Sequence, residues 1–203
     1  MARRLLLYDS AISGNAYKVR LCAAQLGLSL ERVQLDLLKG EALAPEFKAR
    51  NPFGRVPFLL DDDFALAESN AILCHLARGT PLFPAEPRRQ SLVLQWMFFE
   101  QNQVEMGLAV ARYYMKFRPD HPKAGAIVEQ SRPRGIAALK TIEAHLDGGR
   151  RFLVGDYTVA DIALFAYAHL AEEAGVPLAD FPRVRDWIGA VQATPGFVAM
   201  EAP

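Results

Sequence analysis

The apolar positions of the first eighty residues change period along the chain. Leu5, Leu6, Leu7 and Tyr8 form a short run closed by Asp9 and Ser10, which predicts a strand over Arg4–Tyr8. From Ala16 the spacing becomes helical: Val19, Cys22, Ala23 and Leu26 recur until Gly27, a natural residue to follow a helix end. Val33, Leu35 and Leu37 then alternate with polar neighbours, so a second strand follows the helix, and the crossover makes the two strands parallel. A polar, weakly helical connection spans Gly40–Pro52. Beyond it, Val56–Leu60 and Phe64–Ala67 flank Asp61-Asp62-Asp63 as the strands of a hairpin. Ser69–Ala77 closes the series as a helix with Glu68 or Ser69 at its start.

After residue 80 the pattern is helical throughout. Pro81–Pro87 (PLFPAEP) places three prolines in seven residues and reads as a linker. Arg88–Phe117 predicts one long helix rich in aromatics, and Lys123–Leu146 a second, interrupted by Pro133. A proline inside a helix removes a hydrogen bond at a cost of about 3 kcal/mol, so a kink is expected there. Thr158–Ala174 is apolar nearly all round, as expected of a helix at the centre of a bundle. Thr158 and Asp161 have the spacing of a capping box, with Tyr157 placed to staple onto Ile162. The expected organisation is an α/β domain over 1–80, a linker over 81–87 and an all-helical domain over 88–203.

Composition narrows the function. Apolar residues make up 51% of the 203, enough for two small cores, and no uncharged stretch reaches spanning length. The 23 basic residues balance the 23 acidic ones, so no long-range attraction favours nucleic acid or an anionic membrane as partner. The opening MARRLLLY resembles the start of a signal peptide, but its apolar run ends at Asp9, too soon for a hydrophobic region of that kind. Cys22 and Cys74 both fall among apolar residues of helical patterns, which speaks for buried thiols and a reducing cytoplasm rather than a disulfide framework. His75, His121, His145 and His169 show no metal-ligand spacing, so no metal is expected. Neither a phosphate-cradling glycine loop nor a nucleophile elbow occurs.

Three stretches of the first domain carry candidate chemistry. In Arg55-Val56-Pro57-Phe58 a proline opens a strand. A cis Val56–Pro57 bond would turn the Val56 N–H and C=O outward to pair with an extended peptide, whereas a trans proline would merely begin an edge strand. Glu68-Ser69-Asn70 stands at a strand-to-helix junction, where the helix N-terminus favours a carboxylate and the Glu68 side chain an ammonium group, the two charges of an α-amino acid. The plainer alternative is that Ser69 caps its own helix. Ser13 lies at the end of the first strand and the start of the first helix, placed to stabilise a thiolate, with Ser13 or Asn15 as an ordinary cap the alternative.

A ligand with an amino-acid end, an extended peptide backbone and a thiol fits these stretches together. "LDLLKGE" (35–41), "NPFGRVPFL" (51–59), "LAESNAILCHL" (66–76) and "FLVGDYTVADIAL" (152–164) follow in the order seen in the cytosolic glutathione transferase family, which the chain resembles over nearly its whole length, above all the serine-using, theta-like and bacterial branches. The resemblance implies a thioredoxin-like, glutathione-binding α/β domain followed by an all-α helical bundle domain. It assigns Ser13 to the thiolate, with Asn15 as second donor; Val56, before cis-Pro57, to the cysteinyl backbone; Glu68 and Ser69 to the γ-glutamyl end; and Arg55 and Lys39 to the glycine carboxylate. It makes Thr158 and Asp161 a folding motif.

Further implications are an apolar second-substrate pocket drawing on Ala11, Ile12, Tyr113, Tyr114 and Phe117, and a homodimer with Phe53 as a protruding anchor. One departure is Ala42, where theta-like relatives often carry a histidine for the glycine end. The expected activity is a cytoplasmic glutathione transferase of detoxification type, acting on a small hydrophobic electrophile without a metal. The alternatives are a disulfide reductase, peroxidase or isomerase using the same thiolate, and a non-catalytic scaffold that binds glutathione or a protein. The absence of cysteine from SGNAYK speaks against a protein-thiol mechanism.

Overall fold

A computed structural model describes residues 3–201, so Met1 and Ala2 of the opening run lie outside the described residues, as do residues 202–203. The chain divides into two compact units. One runs to Arg78 and includes the segment from Pro195; the other is Gly79–Thr194.

The first unit is built on β1 (Leu5–Asp9), α1 (Gly14–Gln25), β2 (Glu31–Gln34), the short α2 (Pro45–Lys48), β3 (Phe58–Asp61), β4 (Phe64–Ala67) and α3 (Ser69–Ala77). Its sheet has the order β2-β1-β3-β4. β1 and β2 pair in parallel, as the helical crossover between them requires, and β3 and β4 run antiparallel to their neighbours. β3 begins two residues later than its apolar run, because Pro57 has no N–H for the ladder: pairing starts at Phe58, opposite Tyr8. β2 ends at Gln34 rather than Leu37, although the Leu35 N–H still donates to the Asp9 carbonyl at 2.8 Å.

Phe47, Val56 and Phe58 form a buried cluster with Ala16 and Ala42, against which Tyr8, Leu35 and Leu37 pack. The Tyr8, Phe47 and Phe58 ring centroids lie 5.3 to 6.2 Å apart, the range of favourable aromatic contact. Ala42 is a core residue, 4% exposed, so the position that departs from the theta-like pattern is sealed inside this cluster.

The segment from Pro195, expected to belong to the helical domain, joins the first unit instead. The Tyr17 hydroxyl donates to the Val198 carbonyl at 2.8 Å, and Arg20 Nη1 donates to the Met200 carbonyl at 2.8 Å, which fastens the segment along α1.

The second unit opens with α4 (Pro87–Phe99), which continues without a break through a π-helical stretch (Glu100–Ala109), α5 (Val110–Arg112) and a second π-helical stretch (Tyr113–Phe117). The expected long helix is therefore present but wound wide over half its length. It packs against α6 (Ala124–His145), where Gly107 meets Gly135 so closely that a Cβ on Gly107 would lie 2.2 Å from the Gly135 nitrogen. α6 runs through Pro133 as one helix, so the proline does not end it.

α7 (Val159–Ala168) is buried on every side, as its sequence predicts, and the capping box is formed: Thr158 N–H donates to Asp161 Oδ2 at 2.9 Å, and Ala160 N–H to Thr158 Oγ1 at 3.3 Å. Tyr157 packs against Phe152 with its ring tilted by 58° and the centroids 5.1 Å apart. α7 stops at Ala168, not Ala174. There the His169 ring turns back on the helix, its Nδ1 2.6 Å from the Phe165 carbonyl, and the chain tightens to a 3₁₀ turn (Ala171–Ala174). α8 (Pro182–Gln192) completes the unit.

Candidate active site

Strand direction gathers the candidate residues of the first unit. β1 ends at Asp9, opposite Gln34 at the end of β2; β3 begins at Phe58, opposite Tyr8; and β4 ends at Ala67, opposite Phe58. The loops carrying Ala11 to Ser13, Lys39, Arg55 to Pro57, and Glu68 with Ser69 therefore all leave or enter the sheet at one end. In α/β sheets this is the end at which ligands bind.

Ser13 is the N-cap of α1. Its Oγ accepts from the Ala16 N–H at 3.1 Å, so the capping reading of the sequence holds. That bond uses a lone pair and not the hydroxyl hydrogen, which is left for donation beside the positive end of a twelve-residue helix. The capping bond and an uncommitted hydroxyl hydrogen are thus compatible in one rotamer. Ala11 is exposed and Ile12 half-buried in the turn before it.

The Val56–Pro57 bond is cis. Val56 buries its side chain in the aromatic cluster while its peptide groups stand outside the ladder that starts at Phe58. The turn leading to it is tied by Asn51, 1% exposed, whose Nδ2 donates to the Arg55 carbonyl at 2.7 Å and whose Oδ1 accepts from the Phe53 N–H at 3.2 Å. Gly54, within that turn, has a φ of +60°, and a Cβ there would meet the Ala42 carbonyl oxygen at 3.2 Å, so this position requires glycine. The Arg55 side chain is exposed. Lys39 is also exposed, its ammonium 3.3 Å from Asp36.

At the start of α3 the capping alternative for Ser69 fails. The N-cap is Glu68, which makes no side-chain cap bond and holds φ 69°, ψ 115°, a strained conformation for a residue with a Cβ. Strain of this kind costs on the order of 1 to 3 kcal/mol and persists where the surroundings impose it. Its effect is to keep Glu68 exposed at the rim and Ser69 buried as the first helical residue.

Ser69 Oγ lies 3.3 Å from Asn15 Oδ1 and accepts from Lys18 Nζ at 3.3 Å. One side-chain chain thus joins the starts of α1 and α3, 54 residues apart in sequence. Lys18 is fully buried. Sequence reasoning missed it because a lysine within a helical pattern passes for a solvated residue. The available signal was its place three residues after Asn15, on the same helix face.

Neither protein thiol is suited to nucleophilic chemistry. Burial pushes the Cys22 thiol up to about 12 and the Cys74 thiol up to about 11, so both are protonated near neutrality. Among the described residues no group of three His, Cys, Asp or Glu side chains is placed to hold a metal ion, and no helix is long and apolar enough to cross a membrane. Tyr113, Tyr114 and Phe117 lie together on the second π-helical stretch of the helical unit, each half-buried; the Tyr113 ring centroid is 5.3 Å from that of Tyr114 and 6.3 Å from that of Phe117.

A thioredoxin-like α/β unit with a cis-proline loop and a strained helix start, followed in the chain by an all-helical unit, is the architecture that the sequence resemblance implies. Comparison with known proteins agrees. The family model described as "Glutathione S-transferase, N-terminal domain" matches residues 4–78, and "Glutathione S-transferase, C-terminal domain" matches residues 125–190. Glutathione S-transferase 3 of Zea mays is 33% identical over 206 residues, covering 95% of this chain and 91% of its own length. The crystal structure of a possible glutathione S-transferase from Rhodopseudomonas palustris superposes with a TM-score of 0.93 at 40% identity, covering 98% of each chain. A glutathione transferase family member from Pseudomonas fluorescens, solved with two glutathione bound, gives a TM-score of 0.83 at 25% identity, covering 95% of this chain and 90% of that one. The chain belongs to the glutathione S-transferase family of enzymes.

Proposed function

We propose that the first unit binds glutathione along the strand-end edge of its sheet and holds the sulfur as a thiolate at Ser13, for attack on a small apolar electrophile. The observation that carries this reading is the Ser13 hydroxyl. Its oxygen is held by the Ala16 N–H, and its hydrogen is available at a helix N-terminus. A donor and a positive dipole end both favour the anionic form of a nearby thiol.

The peptide ends are held by charge and backbone. Glu68 takes the γ-glutamyl ammonium, and the N-terminus of α3, with the Ser69 N–H, takes its carboxylate. Val56 pairs with the cysteinyl peptide group as an added strand would. Arg55, with Lys39 as a weaker contributor, faces the glycine carboxylate. The family relative solved with glutathione supports the ligand assignment.

Once ionised, the sulfur has lost its proton to solvent. It forms a carbon–sulfur bond with the electrophile while the leaving group departs with the electron pair. Catalysis consists of ionisation and placement. A two-fold dimer with the exposed Phe53 as its anchor belongs to the same proposal, and a monomeric mass in solution removes that part.

The test follows thiolate absorbance as glutathione is added across a pH series, then compares an aryl halide, a hydroperoxide and a mixed disulfide as second substrates. In Ser13→Ala the pH midpoint of the bound thiol is expected to rise by about one unit with glutathione affinity nearly unchanged. An unchanged midpoint removes Ser13 from the mechanism, and turnover of the disulfide or peroxide alone replaces transfer with reduction.

A further inference from the structure

A cavity of about 220 Å³ in the α/β unit lies away from the strand-end edge. α1 lines it with Arg20, Ala23 and Ala24, the connection after that helix with Leu28 and Leu30, and β2 with Arg32. Val198 and Ala199 of the C-terminal segment complete the lining. That segment is tied to α1 at both positions flanking Ala199, by Tyr17 to the Val198 carbonyl and by Arg20 to the Met200 carbonyl, each at 2.8 Å. Ala23 stands ten residues past the Ser13 cap, about 15 Å along the helix axis at ~1.5 Å per residue, so the cavity is separate from the place proposed for the thiol.

Its charge is unbalanced. The carboxylate that answers its arginines is Asp9, which is fully buried. Asp9 Oδ2 accepts from Arg32 Nε at 2.9 Å and from Gln34 Nε2 at 2.8 Å, and lies 3.4 Å from Arg20 Nε; Oδ1 accepts from the Ser10 N–H at 2.7 Å. One carboxylate therefore faces two guanidiniums, whose side chains are 6% and 24% exposed. Burial lowers the Arg20 guanidinium from its ordinary value; Asp9 offsets part of this, and the like charge of Arg32 adds to it. Glu201 also acts on Arg20, but from an exposed position where water and salt screen it. Arg32 meets Asp9 through Nε, which leaves the terminal Nη groups of its planar fork outside that bond.

The rest of the lining is aliphatic. One surplus positive charge amid alanine, leucine and valine side chains suits an anion that carries a single charge on an apolar body, whereas a phosphate would press its other oxygens against carbon. The volume falls below the roughly 300 to 1,000 Å³ of pockets that take drug-sized ligands, so the occupant is small. We infer that this cavity binds a small monocarboxylate with an apolar body, such as benzoate, its carboxylate on the Nη groups of Arg32 and its body against Leu28, Leu30 and Val198. Arg20 already serves Asp9 and the Met200 carbonyl, so it contributes its field and Arg32 makes the contact. The inference is independent of the glutathione reading.

The experiment titrates the full chain calorimetrically with benzoate, benzamide and inorganic phosphate, at low and at high salt. Benzamide keeps the shape of benzoate without its charge, and phosphate keeps charge without the body. Benzoate is expected to bind, the other two about tenfold more weakly or worse, and added salt to weaken benzoate. Arg32→Gln should weaken benzoate by about tenfold or more, the effect of losing a hydrogen bond between charged groups, with part recovered in Arg32→Lys. Ala199→Trp, at an exposed position of the segment, fills the cavity without touching the buried charges and is expected to abolish binding. Benzoate should also shift the methyl resonances of Ala23 and Val198 in the wild type.

Equal binding of benzamide overturns the inference, since the arginines then play no part. So does tighter binding of phosphate, which would make the cavity an oxyanion site of another kind. Benzoate that keeps its affinity in either Arg32→Gln or Ala199→Trp, or that leaves the two methyl resonances unmoved, is bound elsewhere and overturns it as well, as does no binding at millimolar benzoate. Should Arg32→Gln fail to fold for want of a partner to Asp9, Ala199→Trp and the salt series decide. Glutathione enters none of these measurements, so a protein that binds benzoate here and ignores glutathione fails the functional proposal alone.

Discussion

At the scale of single residues, the proposed site rests on residues that use one group for folding and leave another outside the fold's own bonding. Ser13 spends its oxygen on the Ala16 N–H and keeps its hydrogen; Val56 spends its side chain on the core and keeps its peptide groups. Such division explains how far the site was legible. The cis-proline loop and the Glu68-Ser69 junction stood out because proline and a strand-to-helix break leave marks in sequence. That Ser69 does not cap α3 was not legible, since it follows from the backbone of Glu68, and no residue type announces a φ of 69°. Lys18 was hidden because burial is a tertiary fact. The cysteines give the prediction at this scale. Both thiols are raised by burial, so replacing Cys22 and Cys74 with alanine is expected to leave the thiolate midpoint of bound glutathione unchanged while lowering stability by about 1 to 2 kcal/mol, chiefly through Cys22. A lost or shifted midpoint, followed by absorbance, would bring a protein thiol into the mechanism.

At the scale of elements, periodicity located helices well and their internal winding not at all. The long helix from Pro87 to Phe117 has the expected extent, yet fifteen of its residues are π-helical, in stretches of ten and five. Apolar spacing does not separate windings of 3.6 and slightly more residues per turn over so short a distance. α7 stopped early for a similar reason: its apolar pattern continues, but the His169 ring engages the Phe165 carbonyl and Gly175 takes a φ of 72°. The contact between this long helix and α6 leaves no room for added volume at Gly107. A Cβ on Gly107 would lie 2.2 Å from the Gly135 nitrogen and 2.4 Å from its Cα, both backbone atoms that no rotamer change relieves. Gly107→Ala is expected to cost more than about 3 kcal/mol, despite alanine's better helix propensity. Urea unfolding checks this, and a neutral or stabilising result would mean that the two helices separate at little cost.

At the scale of the whole molecule, each unit has its own core, and charge acts locally rather than as a field, with 23 residues of each sign. One local cluster sets an acid limit. Asp61 is held by Arg3, with Nη2 to Oδ2 at 2.6 Å, and faces His75 Nε2 at 2.6 Å. The hydrogen bond from Arg3, followed by that from His75, pulls its carboxyl down from the ordinary 3.8 to about 2. A depressed carboxylate stabilises the fold above its unfolded value, and this contribution is lost as pH falls from about 4 through about 2. Arg3→Gln should flatten that acid limb by about 1 kcal/mol, a modest figure because Arg3 is 44% exposed on its side chain and partly screened. Denaturant midpoints at pH 2 to 5 measure it, and an identical limb in the variant would clear the pair of any part.

The segment from Pro195 to Glu201 bears on how the molecule is made. Its partners Tyr17 and Arg20 lie 181 and 180 residues earlier, so the α/β unit that carries the proposed glutathione residues is discontinuous in sequence. During synthesis α1 leaves the ribosome long before the strap that closes over it. Until translation reaches the Val198 and Met200 carbonyls, the nascent sheet and its first helix stand without this latch.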